Sequence, residues 1–452
     1  MTPVQKPLWQ RFLLFLVPLM LSNILQAMSG TINNIFIGQL VGVNALAAAA
    51  AFFPILFFLM SFIIGLASGS TVLIGQAYGA KNELKVKEIA GTTMTVTFFA
   101  GIVVAILGGF FIRPLMEHVL GVPANIVDES STYGLIILVG MPGFFVYLIA
   151  TSILRGVGDT TTPLVALVMS ILVGLVVTPG LILGWGGLPK LGLYAAAVAF
   201  IIGFVVVLLF LFFYLRARKH PLAPDRVLLS HLGIDFTLLR TILRLGVPAG
   251  VQMIVSSVAA IVVVGIINRF GSDATAAYGA VGQVMSYVQF PAMSIGIAAS
   301  IFGAQAIGAG QQDRLGHITR TAMIMNLIIT GALIVLAYIF SQTLVQLFIT
   351  DPKVVGMTET LLHIVLWSVV MFGFSVILSG VMRSSGDVLV PMLISLGTIV
   401  IVETPLALYL STTPLGLNGI WTAYATSFCT MFVLQAIYYW FFWRKKPIKK
   451  LV

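Results

Sequence analysis

Charge is what this 452-residue chain has least of: 8% of its residues are Asp, Glu, Lys or Arg, where a soluble domain carries about 25%. That shortage excludes an ordinary water-soluble enzyme. It also excludes a disordered chain, which needs high net charge and few apolar residues. Cysteine is scarcer still. The single copy, Cys429, can form no internal disulfide, and no Cys-x-x-Cys or Cys/His cluster points to a metal. The five histidines fall mostly in loops or at the ends of apolar runs, again without metal-site spacing. What is abundant is hydrocarbon: 59% of the residues are hydrophobic and the mean hydropathy is +1.09. The apolar runs are two to three times longer than the roughly ten-residue alternating segments of a membrane barrel. A polytopic helical membrane protein remains.

A membrane-crossing helix needs about 20 apolar residues. On that basis the sequence predicts twelve spans, near 12–37, 47–75, 89–112, 131–154, 163–184, 191–215, 241–268, 276–304, 318–346, 357–382, 390–411 and 418–443. The first run, preceded by Lys6 and Arg11, is too long for a signal-peptide core and is expected to stay as the first span. Pro18 and Pro248 fall inside the first and seventh spans and Pro405 inside the eleventh, where each costs a backbone hydrogen bond and predicts a kink. The 24 basic residues then divide very unevenly. Arg113, Lys190, Arg269 and Lys353 lie on one side, and the other twenty share the opposite side with both termini. The positive-inside rule makes that basic side cytoplasmic. The formal charge of +10 is therefore spread over short loops, which argues against nucleic acid as a partner.

The chain repeats itself at a spacing near 228. Pro18 corresponds to Pro248, and Gln76-Ala77-Tyr78-Gly79-Ala80 to Gln305-Ala306-Ile307-Gly308-Ala309. Arg155, Gly158, Asp159 and Pro163 match Arg383, Gly386, Asp387 and Pro391; Thr178-Pro179 matches Thr404-Pro405. These matches predict an N-lobe at 1–215, a cytoplasmic linker at 216–240 and a C-lobe at 241–452. Six spans per lobe is an even number, so both halves enter the membrane in the same direction. The predicted fold is an all-α integral membrane protein, two six-helix bundles related by a pseudo-twofold axis along the membrane normal. Two such bundles would enclose a cleft and suit transport by alternating access.

LVPLMLSNILQ in the first span, GQAYGAKN after the second and LRGVGDTTTP after the fourth, with GAQAIGAGQ, MRSSGDVLVP and GLNGIWTAYATS in the second half, resemble the multidrug and toxic compound extrusion (MATE) family. The resemblance covers essentially the whole chain. It implies a cation-coupled antiporter, not an enzyme, that exports organic, mostly cationic, drugs from a bacterial inner membrane with both termini cytoplasmic. It implies no cofactor beyond a coupling proton or sodium ion, and no obligate protein partner besides the lipid bilayer. The chain departs from the family at its usual coupling carboxylates. Asn34 stands where a first-span aspartate precedes a glycine by four residues. Ser256 and Phe372 stand near the positions of the seventh-span glutamate and tenth-span aspartate of the NorM branch.

Glu403, in IVETPLALYL, is the one formal charge left in the middle of a span. An unpaired ionised carboxylate is costly in hydrocarbon, so the group should be neutral or face a wet cavity. A carboxyl able to switch between those states is what a proton carrier requires, and Glu403 is the candidate coupling residue. The plainer reading is a buried acid hydrogen-bonded to a neighbouring helix. Its repeat counterpart is Val177, so the lobes are chemically unequal. Asn33 and Asn34 form a second candidate, able to bind cation or substrate but not to titrate, or simply to link helices. Gln26, Gln252, Gln283, Tyr287 and Gln289 are further candidates for a cavity lining. Arg155 with Asp159, and Arg383 with Asp387, occupy matching loops as structural or gating pairs. The 18 methionines and 31 phenylalanines suit a pliable site for apolar cations as well as ordinary packing. The pairs Gly65/Gly69 and Gly246/Gly250 predict close helix contacts. Two other functions compete with export. A lipid-linked saccharide flippase would want several mid-span Arg or Lys residues, and a membrane-embedded enzyme a clustered His/Asp/Glu set; neither is present.

Overall fold

A computed structural model describes residues 7–452; Lys6, counted above with the basic side, lies outside them. Twelve helices are long and apolar enough to cross a membrane. They are α1 (Leu8–Leu40), α2 (Val43–Gly79), α3 (Glu83–Val119), α4 (Val127–Gly156), α5 (Thr161–Leu183) and α6 (Tyr194–Ala217), then α7 (Phe236–Phe270), α8 (Ser272–Gly308), α9 (Gln312–Ile339), α10 (Pro352–Ser384), α11 (Leu389–Ser411) and α12 (Leu417–Lys445). No strand occurs among the described residues. Helix is forced by the medium, because each backbone amide in hydrocarbon must find its partner within its own segment. All twelve expected spans are present; most extend beyond the expected bounds, but α6 starts at Tyr194 instead of 191 and α9 ends at Ile339 instead of 346. Shorter helices, Arg226–Ser230 and Ser341–Gln346, interrupt the connections after α6 and α9.

The chain folds as two compact units. Their boundaries differ from those expected at 215 and 241, and the difference falls at the two repeat-related prolines. One unit takes residues 21–78 and 82–247; the other takes the chain up to Met20, Gly79–Lys81 and everything from Pro248 onward. The first half of α1 is therefore packed with the second-half helices: Phe12, Phe15, Leu16 and Leu19 share an apolar cluster with Ile295, Phe302 and Met382. The guanidinium of Arg11 sits 5.6 Å from the Phe302 ring centre. Conversely, the start of α7 is packed with α2, and the 216–240 linker clusters with the first-half unit. Asp225 there caps the Arg226–Ser230 helix through the Leu228 amide and pairs with Lys87 at the start of α3. The Lys87 hydrogen bond, then the Leu228 amide, hold the Asp225 carboxyl below the usual carboxylate range.

Lipid gives helices no hydrophobic reason to associate, so small residues that let backbones approach carry the packing. Of the expected glycines, Gly65 and Gly69 on α2 meet Gly246 on α7. A carbon added at Gly246 would lie 2.5 Å from the Gly65 carbonyl oxygen, and one added at Gly69 would lie 2.6 Å from the carbonyl oxygen of Ile242. Gly246→Ala should therefore destabilise the chain by about 1–3 kcal/mol, as overpacking does, and lower its thermal midpoint in detergent. Gly265→Ala, also in α7 but with nothing within 4 Å of the added carbon, should leave the midpoint unchanged. Equal midpoints for both variants would remove the α2–α7 approach as a determinant of stability.

Candidate functional site

Glu403 closes a wide helical turn. Residues Thr398–Glu403 form a π-helical stretch inside α11, with Pro405 two residues on. The expected distortion at Pro405 is thus a widened turn just before it, where the Thr404 hydroxyl donates to the Ile399 carbonyl five residues back at 3.1 Å. The wide turn leaves Glu403 6% exposed, in the second-half unit. Ser427 Oγ on α12 donates to Glu403 Oε2 at 2.9 Å. No basic side chain pairs with this carboxyl among the described residues. Tyr278 of α8 and Tyr424 of α12 lie within electrostatic reach of it and of each other. The Trp421 ring packs against both tyrosines, with centroids 5.5 and 5.4 Å apart. Its indole N–H is buried without a hydrogen-bond partner. The result is one buried acid, one hydroxyl donor and an aromatic wall, which can hold a proton or a desolvated organic cation.

The other candidates are spread more widely. Asn33 is half-buried, while Asn34 and Gln26 are exposed, all three on α1 within the first-half unit. Gln252 on α7 and Gln289 on α8 are half-buried, and Gln283 and Tyr287 on α8 are exposed. These four share the second-half unit with Glu403. Ser427, Tyr278, Tyr424 and Trp421 were not singled out from the sequence. The segment GLNGIWTAYATS holds three of them, Trp421, Tyr424 and Ser427.

The Arg–Asp pairs are redirected. Asp159 accepts from the Thr162 amide at 2.9 Å and from its hydroxyl, capping α5, and lies 3.6 Å from His220 Nε2. Asp387 accepts from Tyr438 OH at 2.6 Å and from Lys446 Nζ at 2.9 Å. In each unit the aspartate after the fourth span of its half clasps the chain just beyond the sixth, because His220 and Lys446 stand 226 apart and so match in the repeat. Arg383 reaches back to Ser379 Oγ at 3.4 Å, and Arg155 is half-buried at the end of α4. Two polar groupings escaped the sequence reading altogether. Ser341 Oγ donates to Glu359 Oε1 at 2.6 Å, 3.2 Å from His363 Nε2. The fully buried Gln435 amide donates to the Pro391 carbonyl at 2.8 Å.

Comparison with known proteins agrees with this arrangement. The MatE family model matches twice, at residues 18–179 and 248–409, one copy per half. The chain belongs to the MatE family. It is a multi-pass membrane transporter of the multidrug-efflux type and not an enzyme, and the family's transporters need no prosthetic cofactor. The chain is 45% identical to "Probable multidrug resistance protein YoeA" of Bacillus subtilis (strain 168), over 98% of its own length and 96% of that protein's. It is 28% identical to the protein named "FAD transporter" of Shewanella oneidensis, over 71% of this chain and 70% of that one. A crystal structure of the Vibrio cholerae MATE transporter VcmN superposes with a TM-score of 0.89 at 19% identity, over 97% of this chain and 98% of that one. That likeness carries the two-lobe fold.

The two clasps differ in what titrates. Burial holds the His220 imidazole below its ordinary 6.5, with Asp159 pulling the other way. Acid therefore protonates this group first in the unfolded chain, so the stability due to the neutral imidazole is present above about pH 6.5 and lost as pH falls. The Lys446 ammonium is instead raised, by its bonds to Tyr438 and Asp387, and stays charged throughout that window. Between pH 7.5 and pH 5 the thermal midpoint should drop less in His220→Gln than in the natural chain. Lys446→Gln should leave the drop as it was. An identical drop in all three chains would clear His220 of any part in the acid sensitivity.

Proposed function

We propose that this MatE-family chain is a proton-coupled antiporter that exports organic cations across a bacterial inner membrane by alternating access. The observation that carries the reading is the Glu403 site: a mid-span carboxyl, buried, without a basic partner, and bonded to a single serine. A group so placed can stay in the membrane only by exchanging its charge for a proton or a bound cation. Competition between the two for one carboxyl couples uptake of one to release of the other. Tyr278, Tyr424 and Trp421 supply the ring faces that a desolvated organic cation favours. With Asn34, Ser256 and Phe372 in place of the family's usual carboxylates, a sodium ion loses its anionic ligands, whereas Glu403 alone suffices to carry a proton; this supports a proton over sodium as the coupling ion. Gln252, Gln283, Tyr287 and Gln289 extend the polar lining within the same unit, and Asn33, Asn34 and Gln26 provide one in the other. The charge asymmetry supports cytoplasmic termini. The relative named as an FAD transporter suggests an anionic cargo as the rival reading. A cavity for such a cargo wants mid-span arginine or lysine, and the sequence offers none there.

The test uses the purified chain in liposomes, with efflux of a cationic dye driven separately by an imposed proton or sodium gradient. The proton gradient should drive export and the sodium gradient should not. Glu403→Gln should abolish proton-driven export while leaving folding intact, and Ser427→Ala should keep export but alter its pH profile. Full export by Glu403→Gln would overturn the coupling assignment, and export driven by sodium alone would overturn the choice of ion.

A further inference from the structure

The chain carries a groove that the transport reading does not use. It runs along the outer face of α12, has a volume of about 520 Å³, and is lined by Phe432, Val433, Ile437, Trp440 and Phe441. Lys445 closes it at one end. Its origin is local. Tyr438–Phe442 form a π-helical turn and Trp443–Lys445 a 3-10 turn, so the side-chain rows of α12 lose their even spacing at this point. Trp440, Phe441 and Phe442 are all well exposed there, on the stretch where a span meets the headgroups and aromatic rings gather.

The chain beyond the groove is held in place. Trp443 Nε1 donates to Ser385 Oγ at 3.0 Å, Lys446 Nζ binds Asp387, and the Ile448 carbonyl accepts from Gln312 Nε2 at 2.8 Å. That anchoring uses one of five clustered positive charges. Arg444, Lys445, Lys449 and Lys450 are exposed, and none has an ion-pair partner among the described residues. An apolar groove thus ends at fixed, uncompensated cations, on the face of the chain that holds most of its basic residues. A ligand that satisfies both parts has an acyl chain and a net negative headgroup.

We propose that this groove binds an anionic phospholipid of the basic-side leaflet, with an acyl chain along Phe432–Phe441 and the headgroup at Arg444 and Lys445. A zwitterionic phospholipid fits the apolar part equally well, so selectivity rests on net charge. It should weaken as salt is raised, as attraction at an exposed surface does.

Trp440 reports on the site directly. The full chain is placed in phosphatidylcholine vesicles containing a small fraction of brominated phosphatidylglycerol or, in a parallel series, brominated phosphatidylcholine with the same acyl chains. The Trp440 contribution is taken as the difference between the chain and its Trp440→Phe variant. Brominated phosphatidylglycerol should quench that contribution several-fold more strongly at equal mole fraction. The preference should vanish in an Arg444→Gln/Lys445→Gln double variant that still exports dye. Equal quenching by the two lipids in the natural chain would reduce the groove to ordinary bilayer contact and overturn the proposal. A preference that survives in the double variant would overturn the headgroup assignment. Loss of the preference to millimolar inorganic phosphate at matched ionic strength would overturn the role of the groove, leaving only an anion contact. None of these outcomes depends on which ion drives transport.

Discussion

Hydrocarbon accepts neither an unpaired charge nor an unsatisfied backbone amide, and most of this molecule follows from that intolerance. It makes every span a helix and sends charge to the span ends. It also gives the buried Glu403 and Gln435 side chains hydrogen-bond partners on neighbouring segments. Glu403 is where the constraint presses hardest, and the local structure answers it. A π-helical turn carries Glu403, Ser427 supplies a donor, and Tyr278 and Tyr424 lie within electrostatic reach, with the Trp421 ring packed against both tyrosines. Isolated from any basic partner, the group has no fixed counter-charge to hold it in one protonation state.

The same intolerance explains which parts of the fold were legible in the sequence. Span positions are local facts about hydropathy, so all twelve could be read one window at a time. The duplication was legible because both halves meet the same lipid and keep the same punctuation: Pro18 with Pro248, Asp159 with Asp387. The assignment of half-helices to the two units was not. Phe12 packs with Phe302, almost 300 residues away, and no pattern within either segment records that choice. The glycines fall between these cases. Gly65, Gly69 and Gly246 declared themselves as close-approach residues, but that they would meet one another is a property of the assembled helices.

At the candidate site the division is sharper. Glu403 was visible because it is solitary; Ser427 was invisible because serine is common in spans and its partner lies 24 residues away on the next helix. The Arg–Asp motifs were legible as residues of matching loops but not in their partners. Asp159 and Asp387 lie just past the ends of α4 and α10. There a carboxylate can cap the next helix or reach a neighbouring strand of chain. Asp159 caps and touches His220, and Asp387 holds Tyr438 and Lys446.

The two halves therefore share a frame and differ in chemistry. What the repeat preserves are devices of backbone and packing: span prolines, and the aspartates that clasp the chain beyond the sixth span of each half. What it does not preserve are the groups that titrate or bind. Val177 faces no problem of charge where Glu403 does, Val263 and Val264 fall near the repeat positions of Asn33 and Asn34, and His220 clasps where Lys446 does in the other half. A second mid-span acid would double the cost of carrying charge in oil without adding a distinct step, since a single carboxyl suffices to exchange a proton for a cation. On the proposed reading the duplicated frame supplies the motion, and one half alone supplies the group whose protonation gives that motion a direction.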